Sequence, residues 1–213
     1  MMISAALVKL RERWMEFSAC ADLENHEDVE AILSEARSID DQFIAWAQFL
    51  PKHWEPTPAT FLPQSIREAG SYQGRCDCYT DMWIAGTWNN YRTFRLSVQN
   101  IIYHCLTLLS KPADEIQSTL ETTRVLAIDV CATVPYYLGS QSGLVPITDT
   151  RVEYPSANSE SPSRQQTQLI GGWVVRPALE ALCSVENLPE EMLSWVRGQV
   201  KRIMDIYTSG LVL

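Results

Sequence analysis

Apolar residues recur at steps of three and four along most of the chain, which is the spacing of one face of an α-helix. The first such stretch is Ile3–Ala21, and its apolar face is formed by Leu7, Leu10, Trp14 and Phe17. An acidic stretch, Asp22–Glu30, leads into a second helix, whose apolar stripe continues to Leu50. Pro51 ends this helix, because its ring cannot continue the hydrogen-bond ladder.

The longest helical pattern lies between about Cys78 and Ser110. One of its faces carries Tyr91, Phe94, Val98, Ile101, Cys105 and Leu108. Further apolar residues, among them Trp83 and Ile102, fill much of the remaining surface. A helix that is apolar nearly all round is a buried helix, so we expect this segment to be the central helix of the fold.

The periodicity predicts three more helices: Pro112 to about Pro135, Leu169 to about Val185, and Pro189 to about Ser209. Residues 52–77 contain several Pro and Gly residues and are predicted to be an irregular connection. Residues 141–168 are rich in Ser and are predicted to be a flexible loop. No segment alternates with a period of two, so the predicted fold is all-α. We expect a single domain over residues 1–213, with about six main helices around the long buried helix.

Composition and charge restrict the function. The chain has 213 residues, of which 46% are hydrophobic and 20% charged, as in a globular protein. Its 17 basic and 26 acidic side chains give a net charge of −9, which argues against direct binding to a phosphate backbone. Lys9 and Arg11 interrupt the apolar start too early for a signal peptide or a membrane span. We therefore expect an intracellular protein, in the nucleus or cytoplasm, that uses neither membrane nor nucleic acid as a partner.

Cysteine and histidine residues give no metal-binding pattern. The six cysteines are mostly dispersed, and with no secretory signal they are expected to be reduced. Cys76 and Cys78 are separated by one residue, which is not the usual zinc-ligand spacing. His26, His53 and His104 do not form a ligand set. The sequence predicts no metal and no cofactor.

Three sequence blocks follow the motifs of one known protein family. Residues 81–95 read DMWIAGTWNNYRTFR, similar to that family's D-L-W…W-N-x-Y-R…R helix. Residues 128–139 read IDVCATVPYYLG and resemble its I-C-A-S-V-P-Y-H-L-G stretch. Residues 171–178 read GGWVVRPA, which is similar to its G-G-x-x-L-L-W-P-L helix. Together these blocks resemble the regulatory domain of fungal zinc-cluster transcription factors. The resemblance implies an all-helical module that regulates transcription.

The chain departs from the family pattern in two respects. Family members normally begin with a Cys₆ cluster that binds two zinc ions, and no such spacing occurs here. Because the numbering starts at Met1, we expect either a complete short protein or a chain without its DNA-reading end. In addition, Arg176 stands where the family usually has a large apolar residue, which places a charge where core packing is expected.

A few polar residues within apolar segments are candidates for a site. Asp129 lies on a packed helix, and a buried carboxylate is costly unless it is paired. We therefore predict that it pairs with Arg92 or Arg95 and braces two core helices. Tyr136 and Tyr137 follow Pro135, which bends the chain, so their phenols could face a cavity. With Arg176 these residues form the candidate pocket set: Arg92, Arg95, Asp129, Tyr136, Tyr137 and Arg176.

Three functions remain open at this level. The first is a transcription-regulatory module that lacks a DNA-binding element and acts through protein contacts or a small-molecule effector. The second is a stand-alone domain that binds a hydrophobic natural product, and that as an enzyme would be a metal- and cofactor-free cyclase or isomerase of secondary metabolism. The third is a dimerising partner that titrates full-length relatives. No confident catalytic residue follows from the sequence.

Overall fold

A computed structural model of the chain describes residues 2–19, 26–59, 62, 67, 70–138 and 162–209. Within this part of the chain, six helices of at least 18 residues dominate. They are α1 (Met2–Ala19), α2 (His26–Gln48), α3 (Met82–Leu108), α4 (Ala113–Cys131), α6 (Pro162–Leu182) and α7 (Glu190–Ser209). A five-residue helix, α5 (Val134–Leu138), follows α4. The predicted all-α class and the six main helices are confirmed.

Helix α3 has the burial expected of a central helix. Its buried residues are Met82, Ala85, Asn89, Arg92, Leu96, Val98, Gln99, Ile101, Ile102, Cys105 and Leu106. Two large apolar residues near its ends, Trp83 and Leu108, are exposed. The helix ends in a Schellman motif, in which Ser110 adopts a left-handed conformation with φ 49° and the Lys111 N–H donates to the Leu106 carbonyl. This turn brings the chain directly to Pro112 and the start of α4.

The described residues group into two compact units, each assembled from separate stretches of sequence. The first unit falls within Met1–Leu50, Tyr91–Leu126 and Val185–Asn187. The second falls within Pro51–Asn90, Ala127–Ser184 and Leu188–Leu213. The boundary between the units therefore falls inside α3 and again inside α4.

The first unit has a core of apolar residues from four helices, α1, α2, α3 and α4. Its buried cluster contains Leu7, Leu10, Val29, Ile32, Leu33, Ala36, Ile39, Phe43, Val98, Ile101, Ile102, Cys105 and Leu106, and Ile116 packs against it. Trp14 and Phe17 on α1 also pack against this cluster, as their spacing predicts. Of the predicted stripes, those of the first two helices are thus used as core faces.

In the second unit, α5 is the most completely buried element. All five of its residues are buried, and it packs against α6, which in turn packs against α7. The sequence predicts one helix from Pro112 to about Pro135, but α4 ends at Cys131 and the chain makes a turn before α5 begins. Pro135 explains the break, because it has no N–H to donate to the carbonyl of Cys131. Tyr136 and Tyr137 therefore lie inside a second, short helix.

The two segments predicted to be irregular contain some regular structure. Residues 52–77 include a 3₁₀ helix, Lys52–Trp54, and strand β1 (Thr57–Pro58), which pairs antiparallel with β2 (Asp77–Cys78). Helix α6 begins at Pro162 instead of at about Leu169, so the end of the predicted flexible loop 141–168 is helical. Proline is favoured in the first turn of a helix, and the polar residues after it are compatible with a helix. Residues 141–161 lie outside the described part.

None of the described helices is both long and apolar enough to cross a membrane.

Gly86 tests how closely α3 packs against its neighbours. A Cβ atom at Gly86 would meet a methyl group of Val174 at 3.6 Å and the Tyr137 hydroxyl at 3.8 Å, which are ordinary contact distances. We expect Gly86→Ala to raise the free energy of unfolding by about 1 kcal/mol, since alanine favours a helix over glycine. Gly86→Leu is expected to lower it by about 1–3 kcal/mol, because the extra carbons have no room.

Gly198 on α7 is the matched control, because a Cβ atom there meets nothing within 4 Å. Both Gly198→Ala and Gly198→Leu should therefore be stabilising. Urea denaturation of the four variants checks this, and a stable Gly86→Leu variant would contradict the close packing at Gly86.

Candidate functional site

Asn89 connects α3 to the turn between α4 and α5. Its buried side-chain amide donates to the hydroxyl oxygen of Thr133 at 3.0 Å. The Thr133 hydroxyl in turn donates to the carbonyl of Val130 at 2.7 Å. Each polar group in this chain of hydrogen bonds has a partner, which is what burial of an amide requires. Asn89 therefore has a bracing role in the second unit.

Tyr136 and Tyr137 belong to a packed aromatic cluster. The ring of Tyr136 meets those of Tyr79 and Tyr137 edge-on, with centroid distances of 5.4 Å in both cases. The Tyr137 hydroxyl donates to the Met82 carbonyl at 3.2 Å. Both tyrosines are fully buried, so they act as core residues of the second unit.

The hydroxyl of Tyr136 differs from that of Tyr137. In the part of the chain that the structure describes, it is buried without a hydrogen-bond partner. Burial raises the pKa of Tyr136 above its ordinary value, and the negative charge of Asp81 raises it further. The phenol is therefore protonated at neutral pH and is not a proton acceptor for catalysis.

Asp129 forms an ion pair with Arg75, at 2.7 Å between Nη1 and Oδ1. Arg75 also holds Asp77, through Nε at 3.2 Å and Nη2 at 2.8 Å. The Asp77 side chain is only 1% exposed, whereas that of Arg75 is 40% exposed. Burial lowers the pKa of Arg75, but the hydrogen bonds and charges of Asp77 and Asp129 raise it more. One guanidinium thus binds two carboxylates of the second unit.

Arg95 forms the corresponding pair in the first unit. Its Nε and Nη2 bind the two carboxylate oxygens of Asp40 at 2.7 and 2.8 Å, and its Nη1 donates to the Tyr91 hydroxyl at 3.1 Å. The side chains of Arg95 and Asp40 are only 12% and 11% exposed. Burial lowers the pKa of Arg95, but Asp40 raises it more, so the guanidinium stays charged. This bidentate geometry is among the strongest that an ion pair adopts.

The ion pair that the structure gives Asp129 is with Arg75, a partner that the sequence did not suggest. Arg95 is paired with Asp40, and Arg92 is buried. A pairing of Asp129 with Arg92 or Arg95 stays a prediction. The burial of Asp40 could have been predicted from the sequence, since it follows Ile32 and Ala36 at steps of four on the buried face of α2.

Arg176 does not place a charge in the core. Its guanidinium lies over the ring of Trp173, 4.9 Å from the centroid, and its Nε binds Glu180 at 2.8 Å. Trp173 is itself exposed, and the Arg176 side chain is 27% exposed. The expectation of a charge within core packing is wrong, because this face of α6 reaches the solvent.

A polar groove of about 370 Å³ lies in the first unit. This polar groove is lined by Arg37, Gln99, Ile102, Asp114, Glu115, Ser118, Thr119 and Thr122. None of the six candidate pocket residues lines it. Sequence reasoning missed this groove because its residues come from three helices and form no local motif.

Cys105, Cys131 and His104 have structural surroundings. Burial raises the pKa of Cys105 and Cys131 to about 12, so these thiols stay protonated at neutral pH. His104 stacks on Trp14 at 5.6 Å and lies 3.3 Å from a carboxylate oxygen of Glu186. Within the described ranges, no three His, Cys, Asp or Glu side chains are grouped so that they could hold a metal ion.

The chain is similar over most of its length to a fungal transcription factor. It is 23% identical to Transcription factor dbaG of Emericella nidulans over an alignment of 205 residues. This alignment covers 92% of the chain. The chain spans 46% of the length of that relative. No family model matches the chain. No solved structure matches it significantly.

The Arg95–Asp40 pair gives a prediction for stability. We expect Arg95→Met to lower the free energy of unfolding by about 3–5 kcal/mol, because the Asp40 carboxylate would remain buried without its partner. The exposed pair of Arg37 and Glu115 in the same unit is the control, and Arg37→Met should cost about 1 kcal/mol or less. Equal losses for the two variants in urea denaturation would contradict this account.

Arg75 gives a second prediction of the same kind. Arg75→Met is expected to cost about 1–3 kcal/mol, since Asp77 would lose its two charged hydrogen bonds, although Arg75 itself is partly exposed. Arg124→Met on the exposed side of α4 removes the same charge and should stay within about 0.5 kcal/mol of the parent. A double-mutant cycle with Asp77→Asn isolates the pairwise energy, and additive losses would show that the two side chains are not coupled.

Proposed function

We propose that the chain is a regulatory domain of the fungal zinc-cluster transcription-factor type, without a DNA-binding element of its own. It acts through protein contacts or through a small-molecule effector, and its place of action is the nucleus. The observation that carries the proposal is the similarity to a fungal transcription factor along 92% of the chain. A local motif shared by chance would not extend over 205 residues.

Charge supports the part of the proposal that concerns DNA. The net charge of −9 repels a phosphate backbone, and no spacing typical of a Cys₆ zinc cluster occurs within the 213 residues. A regulatory domain of this composition would reach a promoter through another protein or through a DNA-binding segment joined to it.

Four of the six candidate pocket residues have contacts that stabilise the fold. Arg95, Asp129 and Arg176 each bind a carboxylate or guanidinium of the same unit, and the Tyr137 hydroxyl binds a backbone carbonyl. Such partners are those of polar groups that brace a fold. Cyclase or isomerase chemistry gains no support from these four residues.

A tethered reporter assay tests the proposal. The chain is fused to a heterologous DNA-binding domain, and we expect the fusion to change transcription of a reporter carrying the matching sites, relative to the DNA-binding domain alone. The fusion with Arg95→Met is the control for folding, because an effect of acidic composition alone would persist when the fold is destabilised. An unchanged reporter with the parent chain would contradict the proposed function.

A further inference from the structure

A side-chain amide lines the polar groove. Gln99 on α3 lines the groove, and only 5% of the residue is exposed. Among the residues that the structure describes, no hydrogen bond to the side-chain amide of Gln99 is seen, and its polar atoms are not among the buried ones that lack a partner, so they reach the solvent in the groove. An amide offers two donors and an acceptor. A ligand in the groove would satisfy these groups.

The walls of the groove supply hydroxyls and charges. Ser118 and Thr122 line one wall, on α4, while Arg37 and Glu115 form an ion pair from α2 to α4. Asp114 is the remaining charged residue of the lining. It forms no ion pair within the described ranges, so the groove has one uncompensated negative charge.

The negative charge of Asp114 favours a cationic ligand. Asp114 and Glu115 occupy the first turn of α4, where the helix dipole would otherwise attract an anion. The net charge of −9 also favours the approach of cations over anions. The volume of about 370 Å³ lies at the lower end of the range for small-molecule sites.

We propose that the polar groove binds a short organic cation, with an ammonium group on Asp114 and a second hydrogen-bonding group on the amide of Gln99. As the effector site of a regulatory domain, this assignment rests on the proposed function. As a binding site, it depends only on the groove. The ligand is thus polar and cationic, in contrast to the hydrophobic molecule suggested by the sequence.

Three four-carbon probes test the ligand class: 1,4-diaminobutane, 1,4-butanediol and succinate. They share a chain length and differ in end-group charge. We expect 1,4-diaminobutane to cause saturable shifts of the Gln99 side-chain NH₂ resonance in two-dimensional ¹H–¹⁵N NMR spectra of the labelled full chain. The diol should bind more weakly, and succinate should leave this resonance unchanged.

Variants test the assigned contacts. Asp114→Asn and Gln99→Leu should each weaken diamine binding about tenfold, which is the effect of losing one good hydrogen bond to a charged group. Because Gln99→Leu removes the side-chain NH₂ signal, binding to the variants is followed through the backbone amide resonances of Ser118 and Thr122, which line the same groove. Glu121→Gln is the matched control, because Glu121 is an exposed carboxylate on the same helix that does not line the groove. It should bind as the parent does. Melting curves of the three variants show that each is folded.

Two results would overturn the assignment. One is the absence of a saturable shift at Gln99 with 1,4-diaminobutane. The other is an equal loss of binding in Glu121→Gln, which would indicate general attraction to an acidic surface. Because these measurements use the chain without a promoter, they fail independently of the reporter assay. A reporter effect without diamine binding would leave the proposed function in place and remove the groove as its effector site.

Discussion

The bidentate pair of Arg95 and Asp40 is the interaction on which the first unit depends. The side chain of Arg95 is only 12% exposed, and a guanidinium cannot be buried to this extent without a counter-charge. Asp40 provides that charge from the buried face of α2, so the two helices are fixed to one another at one point in an otherwise apolar contact. Apolar stripes alone would allow the helices to slide, whereas two parallel hydrogen bonds allow one arrangement.

In the second unit a buried charge is also paired with a counter-charge, but the geometry is different. There the partly exposed Arg75 forms ion pairs with two carboxylates, and one of them, Asp77, is almost completely buried. The hydrogen bonds of Asn89 and Thr133 add a neutral bracing contact nearby in the same unit. The charged residues of the sequence blocks that resemble the transcription-factor domain are thus largely accounted for by the stability of the fold.

Much of the architecture could be predicted because a helix produces a local pattern of apolar residues in the sequence. The spacing of Leu7, Leu10 and Trp14, or of Val98, Ile101 and Cys105, is set by neighbours three and four residues away and is visible in the sequence. A contact between side chains of two different helices produces no such local pattern. Arg75 lies in a segment with no periodicity, so nothing in the sequence connects it with Asp129. Likewise, Gln99 and Asp114 reach one groove only because α3 and α4 are placed by the whole core.

The interleaved course of the chain has a consequence for how this domain can be divided. Each unit draws on stretches before and after residue 90, and again before and after residue 126. A cut at either position leaves both units incomplete, so no contiguous fragment contains one unit alone. Splitting for complementation and deletion series would therefore have to keep the segment from α1 to α7 whole, since loss of α1 would expose apolar surface in the first unit and loss of α7 would expose it in the second.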